Sequence, residues 1–204
     1  MPTPSRLIPD SLTGQYLLGY HGCDEAIAEA VLTGKERHLK KSANLYDWLG
    51  HGAYFWVDSP DRALEWAKDR KGTKSIKIKT PYVLGAVLQP GRCLNLTDLK
   101  ATKSVGIIYK LLAKALTDAG EPIPTNDAPE DGVPLRRKLD CAVINYMHQV
   151  QADAGEAPYD SVLGVFEEGK PTFLGSSIRE RTHIQVAVIN LEACIKGYFR
   201  VPGF

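Results

Sequence analysis

Strand-like and helix-like segments occupy different parts of this chain, and their order is the strongest constraint on its fold. Short runs rich in β-branched and aromatic residues lie near both ends, and two long segments with helical spacing of apolar residues lie between them. The predicted strands cover 15–21, 53–57, 82–89, 92–96, 161–166, 183–190 and 195–201, and the two long helices cover 105–116 and 135–150. Because strands and helices do not alternate regularly, this order favours an α+β domain over a doubly wound parallel sheet.

Two shorter helices are predicted from their capping residues. Asp24 can cap a helix that Gly34 ends, and Ser59 can cap another with Pro60 at its first position. We expect one domain over 15–204, preceded by an extended proline-rich arm at 1–14 and interrupted by a helical insertion at 98–155. Within the insertion, the proline-rich and acidic stretch 117–134 is predicted to be a surface loop.

The composition excludes several functional classes. Lys plus Arg number 25 against 24 Asp plus Glu, so the net charge of +1 gives no global argument for binding nucleic acid or an anionic membrane. No apolar run approaches the ~20 residues of a membrane span, and residues 1–15 do not resemble a secretion signal. The four cysteines are scattered without a CxxC pair, which disfavours a zinc site and a disulfide scaffold. We expect a cytoplasmic protein without membrane association or a metal.

Two glycine-containing motifs carry the candidate chemistry. The tripeptide YHG at 20–22 ends the first predicted strand, where the glycine allows a ligand to approach the backbone closely. The sequence GHGAYF at 50–55 leads into the second strand, and a helix follows. This combination resembles the ADP-ribosyltransferase superfamily, especially its diphtheria-toxin-like and poly(ADP-ribose)-polymerase-like branch. The patterns SANLYDWLG at 42–50 and THIQ at 182–185 further resemble an uncharacterised bacterial family.

The resemblance implies an ADP-ribosyltransferase-like split β-sheet core that uses NAD+ as co-substrate. It also implies mono-ADP-ribosyltransferase activity, a glycosyltransferase reaction that moves ADP-ribose to a macromolecule and releases nicotinamide. His21 would orient a ribose, the Gly22 backbone would hold the nicotinamide carboxamide, and Tyr54 would stack on the nicotinamide ring. The residues expected to bind NAD+ are His21, Gly22, Ser42, Asn44, Gly52 and Tyr54. Such chemistry needs a bent dinucleotide and a stabilised oxocarbenium-like ribose, but no metal.

One position departs from the family pattern. Where the family usually carries a Glu on a late strand, this chain has Gln185, which the resemblance places against the nicotinamide ribose. A neutral amide can bond a ribose hydroxyl but cannot stabilise positive charge as a carboxylate does. Three alternatives stay open: a slow transferase that uses Gln185, a transferase whose carboxylate comes from Glu180, and a domain that binds NAD+ or ADP-ribose without reacting.

The acceptor is expected to be a protein or a nucleic acid, RNA or DNA. In the family the loop before the late strand helps to select the target, so Arg179 and Arg181 are candidate acceptor contacts. His183 is a third candidate, because residues two apart on a strand share a face and His183 therefore lies beside Gln185. If the protein is a toxin or a phage-defence effector, a neutralising antitoxin is an expected partner.

Two further functions remain open from the sequence. The basic residues from Lys68 to Lys79 can bind nucleic acid through phosphates, although a solvated helix end and a lysine-protected edge strand explain them as well. His21 and Cys23 are two apart on a strand and can form the thiolate–imidazole pair of a cysteine hydrolase. A small buried cysteine is the simpler explanation of Cys23.

Overall fold

A computed structural model describes residues 15–72, 78–127 and 136–204, in which the chain forms seven strands and five helices. The strands are β1 (Leu17–Asp24), β2 (Ala53–Val57), β3 (Pro81–Leu88), β4 (Cys93–Asn95), β5 (Ser161–Phe166), β6 (His183–Val188) and β7 (Ile195–Arg200). The helices are α1 (Glu25–Leu32), α2 (Pro60–Asp69), α3 (Leu99–Asp118), α4 (Lys138–Asp153) and α5 (Leu191–Cys194). This mixed architecture agrees with the predicted α+β class. The predicted arm at 1–14 and part of the predicted loop, 128–134, lie outside the described residues.

Local sequence signals account for most element boundaries. Strands β2 and β5 begin and end at the predicted residues. Helix α1 follows Asp24, whose carboxylate accepts a hydrogen bond of 3.1 Å from the first turn. Helix α2 follows Ser59 as predicted, but the Ser59 side chain makes no capping bond, so Pro60 carries this boundary. Helix α3 starts earlier than predicted because Asp98 caps it with a bond of 3.1 Å.

The sheet is continuous, but it opens between β1 and β2. Its strand order is β4-β5-β6-β2-β1-β3-β7, and only β4 and β5 are parallel neighbours. Strand β1 pairs with β3 through eight residue pairs, whereas it pairs with β2 only at Gly19–Val57 and Tyr20–Trp56. We call the opening beyond this last pair the fork. The seven strands thus form one hydrogen-bonded sheet that opens at the fork.

Helices cover both faces of the sheet. Helices α3 and α4 pack against Val162 and Ala187, and α2 packs against Trp56 on the same face. Helix α1 lies on the opposite face with Phe55 and Val186. On this face, β2 and β6 contact α2 near Trp56 and contact the α3–α4 pair near Tyr54 and Ala187. The side chains that these two strands direct to the face of α2 are Tyr54, Trp56, His183, Gln185 and Ala187, and the first four are called the central strip here.

Candidate functional site

The backbone of Gly22 faces the fork. Asp58 donates its N–H to the carbonyl of Leu18 at 3.0 Å, so the polar backbone groups of Leu18 point toward β2. Successive residues of a strand alternate in this direction, so those of Tyr20 and Gly22 also point toward β2. Tyr20 pairs with Trp56, but the ladder ends there. Gly22 therefore presents one donor and one acceptor to the fork.

His21 reaches across the fork to β2. Its Nδ1 lies 2.7 Å from the backbone carbonyl of Tyr54, and because a carbonyl oxygen only accepts, Nδ1 carries the proton. The ring also contacts Phe55, with the two ring centroids 5.7 Å apart. Burial lowers the pKa of His21 and outweighs the bond to Tyr54, which raises it. The neutral ring therefore presents Nε2 as a hydrogen-bond acceptor, which suits a ligand hydroxyl.

The hydroxyl of Tyr54 is bonded within the protein. It donates to the carbonyl of Gly50 at 2.7 Å and accepts the N–H of Leu49 at 2.8 Å. Burial raises the pKa of Tyr54 well above its usual value. The hydroxyl thus braces the loop before β2, and the ring is the part of Tyr54 that can contact a ligand by stacking.

Replacing Tyr54 with Phe is expected to lower the free energy of unfolding by about 1–3 kcal/mol, because the N–H of Leu49 and the carbonyl of Gly50 lose their partner. The aromatic ring is kept, so the affinity for NAD+ is expected to change little. Denaturant titration measures the first quantity and calorimetry the second. A large loss of NAD+ affinity without a loss of stability would contradict this role of the hydroxyl.

Gln185 is a buried amide whose hydrogen bonds are not filled by the protein. It lies on β6 between Trp56 of β2 and Gly164 of β5, with 8% of its surface exposed. Tyr54 is its diagonal neighbour on the same face of the sheet. The Gln185 amide makes no hydrogen bond to a residue that the structure describes. Neither amide atom of Gln185 is among the fully buried polar atoms without a partner, so the amide keeps some exposed surface through which a bound ligand can contact it.

The missing side chain at Gly22 is explained by helix packing. A Cβ at this position would lie 2.2 Å from the carbonyl oxygen of Ala63 and 3.3 Å from the Cβ of Ala67, both on α2. The sequence predicts close approach of a ligand to Gly22, but α2 fills the space above this residue. A ligand can therefore reach Gly22 only along the strand edge that faces the fork.

The loop 42–52 is held by hydrogen bonds of its own. Ser42 and Gly52 exchange two backbone bonds of 2.8 and 3.1 Å. The amide of Asn44 donates to the Ser42 hydroxyl at 2.8 Å and to the Asp47 carboxylate at 3.3 Å. These three predicted NAD+ contacts therefore use their polar groups to shape the loop that leads into Tyr54.

The loop before β6 carries three predicted site residues. Arg179 donates to the carbonyl of Gly169 at 2.9 Å, and Arg181 forms an ion pair of 2.6 Å with Glu65 of α2. Glu180 is exposed, and its side chain makes no hydrogen bond or ion pair to any residue in the described ranges. The structure thus ties Arg181 to α2 and leaves Glu180 on the surface.

His183, a predicted acceptor contact, is buried. Only 2% of its side chain is exposed, and its Nδ1 donates to the carbonyl of Arg181 at 2.7 Å. The ring lies against Trp56 and Phe166, at centroid distances of 6.2 and 5.6 Å. Burial lowers the pKa of His183. In this position the His183 ring packs within the central strip, and its contact with an acceptor remains a prediction.

A buried ion pair beside the central strip is not indicated by the sequence. Arg62 of α2 and Glu168, which follows β5, approach to 2.5 Å, and each side chain is 13% exposed. The Glu168 carboxylate also lies 4.0 Å from Nδ1 of His183. The partners are 106 residues apart, so no local pattern could reveal the pair. Because Arg62 neutralises it, Glu168 would be a poor substitute for the carboxylate that the resemblance predicts in place of Gln185.

The structure weakens the cysteine hydrolase alternative. Burial raises the pKa of the Cys23 thiol to about 12, so the thiolate that such an enzyme needs does not form at neutral pH. The described ranges contain no group of three His, Cys, Asp or Glu side chains that could hold a metal ion. Of the predicted basic cluster, Lys74 and Lys77 lie outside the described residues, and Arg70 lies over the ring of Trp66 at 5.6 Å.

The fork and the central strip together bring four predicted site residues close. His21 contacts the backbone of Tyr54, Gly22 faces the same opening, and Tyr54 lies diagonally beside Gln185. The arrangement offers an acceptor for a hydroxyl, a backbone donor and acceptor on one edge, an aromatic ring and an unbonded amide.

None of the described helices has the length and apolarity to cross a membrane. No family model, curated protein or solved structure matches this chain.

Proposed function

We propose that this protein is a mono-ADP-ribosyltransferase that transfers ADP-ribose from NAD+ to a macromolecular acceptor and releases nicotinamide. The observation that carries the proposal is the fork, where β2 leaves the backbone groups of Gly22 unpaired and His21 bonds the backbone carbonyl of Tyr54. The side chains of Tyr54 and Gln185 lie next to this opening on the face of α2. The resemblance of the motifs around His21 and Tyr54 to ADP-ribosyltransferases supports the same conclusion.

The edge of Gly22 matches the carboxamide of nicotinamide. A primary carboxamide has a carbonyl acceptor and an NH2 donor side by side, and Gly22 offers a donor and an acceptor along one strand edge. Two such bonds fix the plane of the ring, as paired bonds fix two neighbouring strands. The Tyr54 ring lies on the face of α2, where it packs against the α3–α4 cluster, and its partly exposed surface can stack on the nicotinamide.

The remaining groups suit the ribose. In the reaction the bond between nicotinamide and the ribose C1′ breaks, and its electron pair leaves with nicotinamide. The acceptor nucleophile then forms a new bond to C1′ and loses its proton. Positive charge develops on the ribose, and the amide of Gln185 can bond a ribose hydroxyl on the face of α2. The His21 ring lies beside Phe55 on the face of α1, so its Nε2 can bond a ribose hydroxyl only through the fork. Because neither group is negatively charged, we expect slow turnover.

Replacing His21 with Ala is expected to lower the rate of nicotinamide release from NAD+ about a hundredfold, the usual order for losing one positioned polar group. The measurement is a time course of nicotinamide release by the purified protein, with and without cellular RNA, DNA and protein fractions. His38→Ala is the matched control, because His38 bonds Tyr198 on the far side of β3 and is expected to leave the rate unchanged. Release that persists in His21→Ala would refute the assigned site.

The neutral Gln185 favours a second candidate, an NAD+ or ADP-ribose binding module without turnover. A carboxylate is missing where the resemblance expects one, and the Glu168 carboxylate, which lies 4.0 Å from Nδ1 of His183, is paired with Arg62. Calorimetric binding of NAD+ with no nicotinamide release in any fraction would support this candidate. Release that requires one acceptor fraction would support the transferase and reveal its acceptor class.

A further inference from the structure

A second cavity adjoins the central strip. A cleft of about 680 Å³ opens between α3, α4 and β5, a size typical of small-molecule sites. Two of its lining residues touch the proposed NAD+ site: Gly164 pairs with Gln185, and Leu49 bonds the hydroxyl of Tyr54. A group held in the cleft would therefore lie beside the reacting ribose.

Flat side chains from several elements line this cleft. The guanidinium of Arg137 lies 4.0 Å from the ring centroid of Trp48, and the ring of Phe166 lies 4.5 Å from Trp48. Tyr109 enters the lining from α3 and is 40% exposed. Aromatic rings and guanidinium planes are the surfaces on which unstacked nucleobases stack.

Gly106 leaves open space beside the cleft where another residue would place a side chain. It lies in the interior of α3 and lines the cleft, and a Cβ at this position would meet no atom within 4 Å. Glycine destabilises the interior of a helix, so such a residue normally has a packing or functional reason. Packing supplies none here, whereas a ligand that enters beside α3 needs this space.

Four lysines lie on α3 on either side of Gly106, which lines the cleft. They follow Gly106 in both directions at spacings of three and four, so they lie in a row on one side of α3. We call this row the lysine stripe, and it consists of Lys100, Lys103, Lys110 and Lys114. Lys114 forms an ion pair of 2.6 Å with Asp118, while the other three have no ion pair to a described residue.

We propose that the cleft binds an unstacked nucleobase of a single-stranded nucleic acid acceptor and that the lysine stripe binds its phosphates. The proposal rests on the proposed function, since it names the acceptor class of that reaction. The aromatic lining explains the base, and the stripe supplies the cations that a nucleic acid requires locally in a chain of net charge +1.

The test is fluorescence anisotropy of labelled single-stranded DNA and RNA oligonucleotides of mixed sequence, at several salt concentrations and without NAD+. Gly106→Leu is expected to abolish binding while the thermal stability stays the same or rises, because leucine is the better helix former. Gly106→Ala is the matched control and is expected to retain binding. Tyr109→Ala is expected to weaken binding about tenfold through lost stacking. The double variant Lys103→Gln, Lys110→Gln is expected to flatten the salt slope by roughly 1.4.

Several outcomes would overturn this proposal. The absence of oligonucleotide binding at low salt would do so, and so would binding that Gly106→Leu leaves intact, which would place the nucleic acid elsewhere. Competition by NAD+ or AMP would assign the cleft to the co-substrate. Because the assay contains no NAD+, oligonucleotide binding without nicotinamide release would sink only the proposed function. Nicotinamide release without oligonucleotide binding would sink only the nucleobase site.

Discussion

Replacing Gln185 with Glu is expected to raise the rate of nicotinamide release about a hundredfold. A carboxylate at this position would face the ribose as positive charge develops on it, and positioned charges of this kind typically change rates by about 10²–10³. The position is mostly buried, which raises the pKa of a carboxyl group, so the gain is expected to grow as the pH rises and the new side chain ionises. The measurement is the initial rate of release from saturating NAD+ across a range of pH.

The control for this variant separates local charge from total charge. Gln89→Glu adds the same charge after the end of β3, away from the central strip, and is expected to leave the rate unchanged. If Gln185→Glu still binds NAD+ but releases no nicotinamide, the site lacks more than a carboxylate. That result would favour the binding module over the transferase.

Replacing Gly22 with Ala is expected to lower the free energy of unfolding by about 3 kcal/mol or more. The added Cβ would lie 2.2 Å from the backbone carbonyl of Ala63, so α2 as a whole must move away from β1. Overpacking of a filled interior usually costs about 1–3 kcal/mol, and a clash with backbone belongs at the upper end because no side chain can rotate aside. Denaturant titration measures the change.

Gly197→Ala is the matched control for this second variant. Gly197 also lies on a strand, β7, but a Cβ there would meet no atom within 4 Å. Stability is expected to stay the same or rise slightly, since alanine restricts the unfolded chain. A Gly22→Ala protein as stable as the parent would show that α2 does not rest on β1 as closely as described here.

Local signals were sufficient to predict most elements but only part of the site. The alternating apolar pattern of 53–57 identifies a strand and Gly34 identifies a helix end, because each signal acts on residues only a few positions away. The motifs around His21 and Tyr54 predict that both residues contact NAD+. The structure joins His21 to the backbone carbonyl of Tyr54 by a hydrogen bond, and the NAD+ contacts remain predictions. The ADP-ribosyltransferase relationship remains a prediction.

The parts that the sequence did not reveal depend on distant contacts. The Arg62–Glu168 pair joins segments 106 residues apart, and no periodicity or motif marks either partner. The burial of His183 depends on rings contributed by β2 and β5. The close contact between α2 and Gly22 likewise depends on a helix distant in sequence. The motif alone therefore explained this glycine by ligand approach and did not reveal the packing of α2.

The short pairing between β1 and β2 means that the two halves of the sheet are held together by fewer residue pairs than neighbouring strands are elsewhere. Two residue pairs join its halves at this seam, compared with eight pairs between β1 and β3 and six between β5 and β6. A ligand that bonds Gly22 on one side and Gln185 on the other would act as a staple across the seam. Binding of such a ligand would then raise the free energy needed to separate the two halves of the sheet.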